Sequence, residues 1–313
     1  MSNCRNLFAA FCVCSTVWLV SCQSGNTDQV CNKSCLSDIT EQYLEAKARG
    51  NTAALPLADN LRVTHNSQPV TVGTGDSWQP EITIENRHTF LDPVTRTAIF
   101  FGTIAGKVEE NRIWWHYVLR LSVDANGDIA EIEEQSAQTG FQTADKVETP
   151  FKEAVIFNAV LPEDERVSAT ELIRAADGYW DGVTTGEGED ILFTPGCQRT
   201  EFGAYTTNNP FTHDARGTTV FVPQPRTGRS CRKFFDAPKF RWTVDNRRYY
   251  VVDKARGIVV GIAQFKKFGG DGHKGLILFE AFKIINGRIE FLWAPGFTWG
   301  LEESGWPDWE RTQ

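Results

Sequence analysis

The most regular hydrophobic pattern in the chain runs from Leu276 to Ala294. Side chains of a strand alternate between its two faces. Leu276, Leu278, Phe282 and Ile284 therefore share one face, and Ile277, Phe279, Ala281 and Ile285 share the other. Both faces are apolar, which predicts a strand covered by helices on one side and by a second sheet on the other. Asn286-Gly287 interrupts the run. That pair accepts positive φ at both central positions and predicts a type I′ hairpin turn. Ile113 to Glu133 repeats the design around Asn126-Gly127, about half the chain earlier, so an internal duplication is expected.

Helical periodicity occurs twice. Leu36, Ile39, Tyr43 and Ala46 fall on one face of a helix beginning near Ser34 and stopped by Gly50-Asn51. Leu172, Ala176, Tyr179 and Val183 do the same behind a capping box, Ser168 to Glu171, and Gly186 and Gly188 end that helix. After each helix comes a proline-containing turn (Leu55-Pro56-Leu57; Ile191 to Pro195) and a short strand (Leu61 to His65; Arg199 to Glu201). Long strands follow in both halves. A Gly- and Pro-rich loop, Gly203 to Ser230, is too long for a mere connector, and Gly269 to Gly275 reads as a hairpin loop. The order of elements is α+β. It divides the chain into 1–22, 23–30, a first domain at 31–140, a linker at 141–167, and a second domain at 168–313 with a Trp-rich tail.

Length and charge agree with this division. The chain has 313 residues, which suits two domains, and a formal net charge of −8 with no long basic run, which argues against nucleic acid as a partner. Leu7 to Val20 is apolar but short for a membrane span. It ends in Leu19-Val20-Ser21-Cys22, similar to a bacterial lipobox. The expectation is an exported, periplasmic or cell-surface lipoprotein held to a membrane surface by a lipid on Cys22; an ordinary secretory signal and a secreted soluble chain is the alternative. Export favours disulfides among Cys31, Cys35, Cys197 and Cys231. Three pairings are open. Cys31–Cys35 with Cys197–Cys231 keeps each pair in one half. Zinc is the rival, with a poor ligand spacing.

The opening helices and the Asn-Gly hairpins resemble a tandem of nuclear transport factor 2-like domains, the cone-shaped fold that includes SnoaL-like cyclases. More narrowly, Cys31-x3-Cys35, Thr206 to Pro210, Cys231-Arg232, Arg247 to Gly257 and Ser304-Gly305-Trp306 resemble an uncharacterised domain family of secreted fungal and bacterial proteins. The resemblance spans about residues 31 to 313 and implies two cones, each a curved, mostly antiparallel sheet wrapped on helices. It also implies an internal pseudo-dimer and an apolar cavity for a small apolar molecule. No catalytic motif of a characterised relative transfers residue by residue, and the fold hosts enzymes and binding domains alike.

Polar residues inside apolar strands are the candidates for chemistry, because a buried polar group needs a partner or a purpose. His116, His65, Glu201 and Asp253 are the candidate acid–base groups, with Arg248, Tyr249 and Trp115 as substrate contacts. For His116 a structural role is the competing reading. His65 and Glu201 occupy equivalent places in the two halves. Asp253 is placed either to orient Arg247 or Arg248, or to cap the turn before Gly257. Glu280 and Lys283 interrupt the last apolar strands and either pair with each other, the favoured reading, or face a cavity. Asp92 before Pro93 and the segment Asp124 to Asp128 read as turns, the latter lacking calcium-loop spacing. No nucleophile elbow, zinc-protease motif or phosphate loop is present, and no cofactor or metal is expected. The function expected is a cofactor-independent isomerase, cyclase, dehydratase or lyase acting on a small apolar, aryl or polyketide-like compound; the alternative is a non-catalytic, surface-anchored ligand-binding or assembly module.

Overall fold

The computed structural model describes residues 31–313 apart from 75–77, 79–81, 109–110, 139–153, 202–203, 208–210, 214–218, 222–229, 233–234, 236–241, 268–274, 296, 300–305 and 307–313. Residues 1–30, Cys22 among them, residues 269–274 of the Gly269 to Gly275 loop, residues 141–153 of the expected linker and most of the Gly203 to Ser230 loop lie outside the described residues.

Two helices lead two sheets. Helix α1 (Lys33–Arg49) starts where the Asn32 side chain accepts the Cys35 N–H and stops at Gly50, with φ 63°. Helix α2 (Ala169–Thr185) starts with the expected capping box of Ser168 and Glu171 and stops at Gly186, with φ 75°. The first sheet contains β1 (Leu57–His65), β2 (Gln68–Pro69), β3 (Thr83–Asp92), β4 (Thr97–Val108), β5 (Asn111–Val123) and β6 (Ile129–Gln138), in the order β2-β1-β6-β5-β4-β3. The second contains β7 (Phe193–Glu201), β8 (Ala204–Thr207), β11 (Trp242–Asp253), β12 (Ile258–Lys267), β13 (Leu276–Ile285) and β14 (Arg288–Ala294), in the order β11-β12-β13-β14-β7-β8, and β15 (Phe297–Trp299) extends it along β13. A separate hairpin joins β9 (Phe211–His213) and β10 (Thr219–Phe221).

The two sheets match strand for strand. In each, the strand after the helix runs parallel to the last long strand, and the remaining neighbours are antiparallel. Even the irregularities coincide: the ladder slips between Ser122 and Val123 in one and between Lys283 and Ile284 in the other. His65 and Glu201 end the matched strands β1 and β7, each three residues before its hairpin partner.

Three apolar cores follow from the sheet faces. α1 covers the first sheet through Leu36, Ile39 and Tyr43, and α2 covers the second through Leu172, Ala176 and Tyr179. The third core lies between the sheets and joins Ile99, Phe101 and Val118 to Val260, Ile277 and Phe279, with Phe157 from the 3-10 turn Ala154–Asn158. The two apolar faces read from β13 are thus a helix-covered face and a sheet-covered face. Cys31–Cys35 and Cys197–Cys231 are disulfides.

Two local expectations change. Asn286 and Gly287 have φ 51° and 71°, as a type I′ turn requires, but at the first hairpin only Gly127 is positive, at 89°. There the Asp124 carboxylate accepts the N–H groups of Asn126 and Asp128 at 2.8 and 3.0 Å and organises a longer loop. Glu280 and Lys283 do not pair. Three residues apart on a strand, they point to opposite faces, and Lys283 donates to the carbonyls of Ala159 and Arg256 at 2.8 and 2.5 Å.

Candidate functional site

Among the described residues each helix-covered face buries one carboxyl to 1% exposure, and the two are treated differently. In the first domain, Glu134 on β6 is 1% exposed. It accepts from Lys47 at 2.8 Å, Tyr43 at 2.9 Å, Tyr117 at 2.5 Å and Trp78 at 3.2 Å. Burial by itself would raise its pKa, but the Lys47 charge and the hydrogen bonds hold it below the usual carboxylate range. Tyr43 and Tyr117 are pushed well above the usual phenol range, first by burial and then by the Glu134 charge, so both remain proton donors. The Lys47 ammonium also stands 4.5 Å from the Trp78 ring centre and 4.8 Å from that of Tyr117. This carboxylate has its partners.

In the second domain the corresponding interior contains Glu280, on β13. It is also 1% exposed. One oxygen accepts the Trp180 indole N–H; among the described residues the other has no hydrogen-bond partner. Burial raises its pKa to about 7, against the opposing influence of Arg199 and of the Trp180 hydrogen bond. The position is built by a glycine. Gly261 on β12 lies in register between Tyr249 and Glu280. A Cβ there would come within 2.5 Å of the Trp180 ring. Its absence lets the indole settle on the sheet, stacked on Tyr249 at 5.3 Å, with its N–H on Glu280. The matched position in the first sheet is Phe100, paired with Leu119.

Around Glu280 stand Arg199, Glu201 and Tyr179. Arg199 is bonded to Glu201, and its guanidinium lies 5.9 Å from the Tyr179 ring centre. Burial raises the Tyr179 pKa well above the usual phenol range, opposed by Arg199. Tyr249 donates its hydroxyl to Asp177 on α2. A buried carboxyl titrating near neutrality beside a cation and a phenol can accept or deliver a proton at near-neutral pH.

The residues proposed from sequence fall in three places. Glu201 and Tyr249 lie in this second-domain interior. His65 lies in the first-domain interior, its Nε2 2.8 Å from Ser136 Oγ, and Trp115 packs against the same core. His116, Arg248 and Asp253 lie on the other face or at its edge. His116 is buried there, and burial lowers its pKa to about 4, so it is neutral at pH 7. Arg248 grips Glu133 through two bonds of 2.8 Å, and Arg120 holds the same carboxylate at 2.9 Å. Asp253 bonds Lys33 at 2.8 Å and Arg256, and accepts the Arg256 N–H, so it caps its turn. Arg247 goes to Asp177 and Asp181. Among the described residues no group of three or more His, Cys, Asp or Glu could hold a metal ion.

Sequence reasoning assigned no site role to Arg199, Tyr179 and Trp180, and gave Glu280 a cavity-facing place only as the alternative to pairing with Lys283. Glu280 was visible as the lone acid of the apolar strand Leu276–Ile285, and Tyr179-Trp180 as adjacent aromatics on a helix. Their convergence from α2, β7 and β13 carried no local signal.

A family model described as a domain of unknown function (DUF8021) matches residues 165–294, from the end of the linker through β14. Among curated proteins, no match was found. Among solved structures, the chain is similar to AclR from Streptomyces galilaeus, provisionally named a hydroxylase. That likeness has 10% identity and a TM-score of 0.27, over 34% of this chain and 80% of that one. Neither likeness specifies a reaction.

Proposed function

We propose that the chain is an exported, cofactor-independent enzyme whose second domain performs acid–base chemistry on a small apolar ring compound. Glu280 is the proton-transferring group. The observation that carries this reading is the buried Glu280 carboxyl, with one oxygen on Trp180 and the other without a hydrogen-bond partner among the described residues. In its ionised form that oxygen accepts a proton from carbon; in its protonated form it returns one to a neighbouring position or to a leaving oxygen. Arg199 and Tyr179 supply positive charge and a hydroxyl for an oxyanion that develops beside it. Glu201 orients Arg199, and Tyr249 fixes Trp180. The reaction classes compatible with these parts are isomerisation, cyclisation and elimination.

The two halves fit a pair of nuclear transport factor 2-like cones joined through their sheets as an internal pseudo-dimer. The reciprocal contacts support this. Ladder register makes His88 the counterpart of Arg248 and Trp293 the counterpart of Glu133, and His88 touches Trp293 just as Arg248 holds Glu133. The two disulfides suit export. The apolar leader and Cys22 belong to the same reading, with a lipid anchor as its finer form.

Native mass spectrometry with a pooled library of apolar ring compounds, followed over hours, tests the function. The expected result is a bound mass that converts to a water-loss product, or a same-mass isomer resolved by chromatography of the released ligand, slowed at least about a hundredfold in Glu280→Gln. A ligand retained unchanged identifies a binding module, and equal turnover by Glu280→Gln refutes the assignment.

A further inference from the structure

The junction between the two halves opens into a cleft of about 140 Å³. A cavity of ~150 Å³ accepts one benzene ring. The cleft is lined by Lys33 from α1, His88 and Phe90 from β3, Phe157 from the 3-10 turn, and Asp253 and Arg256 from the end of β11 and its turn. It is separate from the Glu280 interior, because its walls belong to the opposite face of the second sheet.

The pairing of the halves treats the two sides of the junction differently. On one side of the junction Arg248, Glu133 and Arg120 fill the space with a buried ion cluster. On the other side the register puts His88 in place of Arg248, Trp293 in place of Glu133 and Ala281 in place of Arg120. The His88–Trp293 contact is aromatic where Arg248–Glu133 is ionic, and the short Ala281 stands where the other side has a long guanidinium. The His88 ring lies 4.5 Å from Phe90, 5.8 Å from Phe157 and 5.7 Å from Trp293, centre to centre. Among the described residues its ring nitrogens have no hydrogen-bond partner. Burial lowers its pKa to about 4, so it is a neutral, aromatic wall at pH 7.

The rim has the opposite character. Lys33 and Arg256 both bond Asp253, at 2.8 and 3.0 Å, which leaves one positive charge in excess. Their side chains are 46% and 37% exposed, so both can take a further partner from solvent. A guanidinium beside an ammonium matches a carboxylate, and the single excess charge suits a monoanion.

We propose that this cleft binds a single-ring aromatic monocarboxylate, its ring against His88, Phe90 and Phe157 and its carboxylate on Lys33 and Arg256. A second carboxylate would meet Asp253 and be repelled. A neutral ring would lose the rim contacts.

Calorimetric titration of the full-length chain with benzoate tests the site. One site is expected, weakened about tenfold by Lys33→Ala and by Arg256→Gln, and unchanged within about twofold by Glu280→Gln. Benzyl alcohol is expected to bind about tenfold more weakly and to ignore the rim substitutions. In the unaltered chain, nuclear Overhauser contacts from benzoate ring protons to His88 and Phe157 are expected. Absence of binding, indifference to both rim substitutions, or loss confined to Glu280→Gln would overturn the proposal. Because Glu280→Gln affects only the interior, this test fails or succeeds independently of the function proposed above.

Discussion

Replacing Glu280 with glutamine separates a poised carboxyl from a merely buried one. The change conserves size and leaves an amide oxygen to accept the Trp180 N–H. Burial takes the wild-type carboxyl from 4.5 to about 7. A carboxyl raised in the folded state binds its proton more tightly there than in the unfolded chain. Its contribution to stability is complete below the unfolded value and is lost as pH rises through the folded one. Across that interval the loss is about 3 kcal/mol, at about 1.4 kcal/mol per pH unit. Glutamine has no proton to lose. Chemical denaturation at about pH 4 and about pH 8.5 is therefore expected to show the variant within about 1 kcal/mol of wild type at the lower pH and about 3 kcal/mol more stable at the higher. An equal difference at both pH values would refute the argument, because it would mean that Glu280 does not change protonation between them.

Other substitutions test the frame around the site. Lys47→Ala leaves Glu134 buried without its cation and is expected to cost about 3–5 kcal/mol in urea unfolding, since both groups of the pair are at most 1% exposed. Cys197 and Cys231 lie 34 residues apart, and removing both thiols is expected to cost about 4 kcal/mol, against about 2 kcal/mol for the short Cys31–Cys35 loop, read from melting of the two double variants. Gly257→Ala places a Cβ 2.1 Å from the Ile284 carbonyl oxygen at a φ of 60°, and is expected to lower stability by more than about 2 kcal/mol. Gly287→Ala, at a φ of 71° with nothing within 4 Å, is expected to cost only about 1 kcal/mol in the same assay.

The sequence carried the elements whose pattern repeats locally. The helix faces at Leu36, Ile39 and Tyr43 and at Leu172, Ala176 and Tyr179, the capping box, and the two faces of β13 are all local periodicities, and the folded chain uses them as expected. The duplication was legible because both hairpins share a composition. What was not legible depends on parity and on assembly. One position separates His116 from Trp115 and Tyr117, and that step turns the histidine toward the other sheet. The same alternation separates Glu280 from Lys283. Arg248 looked like a ligand contact because Glu133, its partner, is far away in sequence. The interior around Glu280 required Gly261, a small residue whose importance appears only when Trp180 is laid across it.

Titration of the glutamate side-chain carboxyls by 13C nuclear magnetic resonance, with Glu280→Gln and Glu134→Gln for assignment, most directly tests the claim that one domain works while the other is locked. The account predicts that Glu280 changes protonation near pH 7, while Glu134 stays ionised to below its ordinary value of 4.5. A Glu280 midpoint at or below that ordinary value, with Glu134 titrating near neutrality, would contradict it and move the candidate site to the first domain.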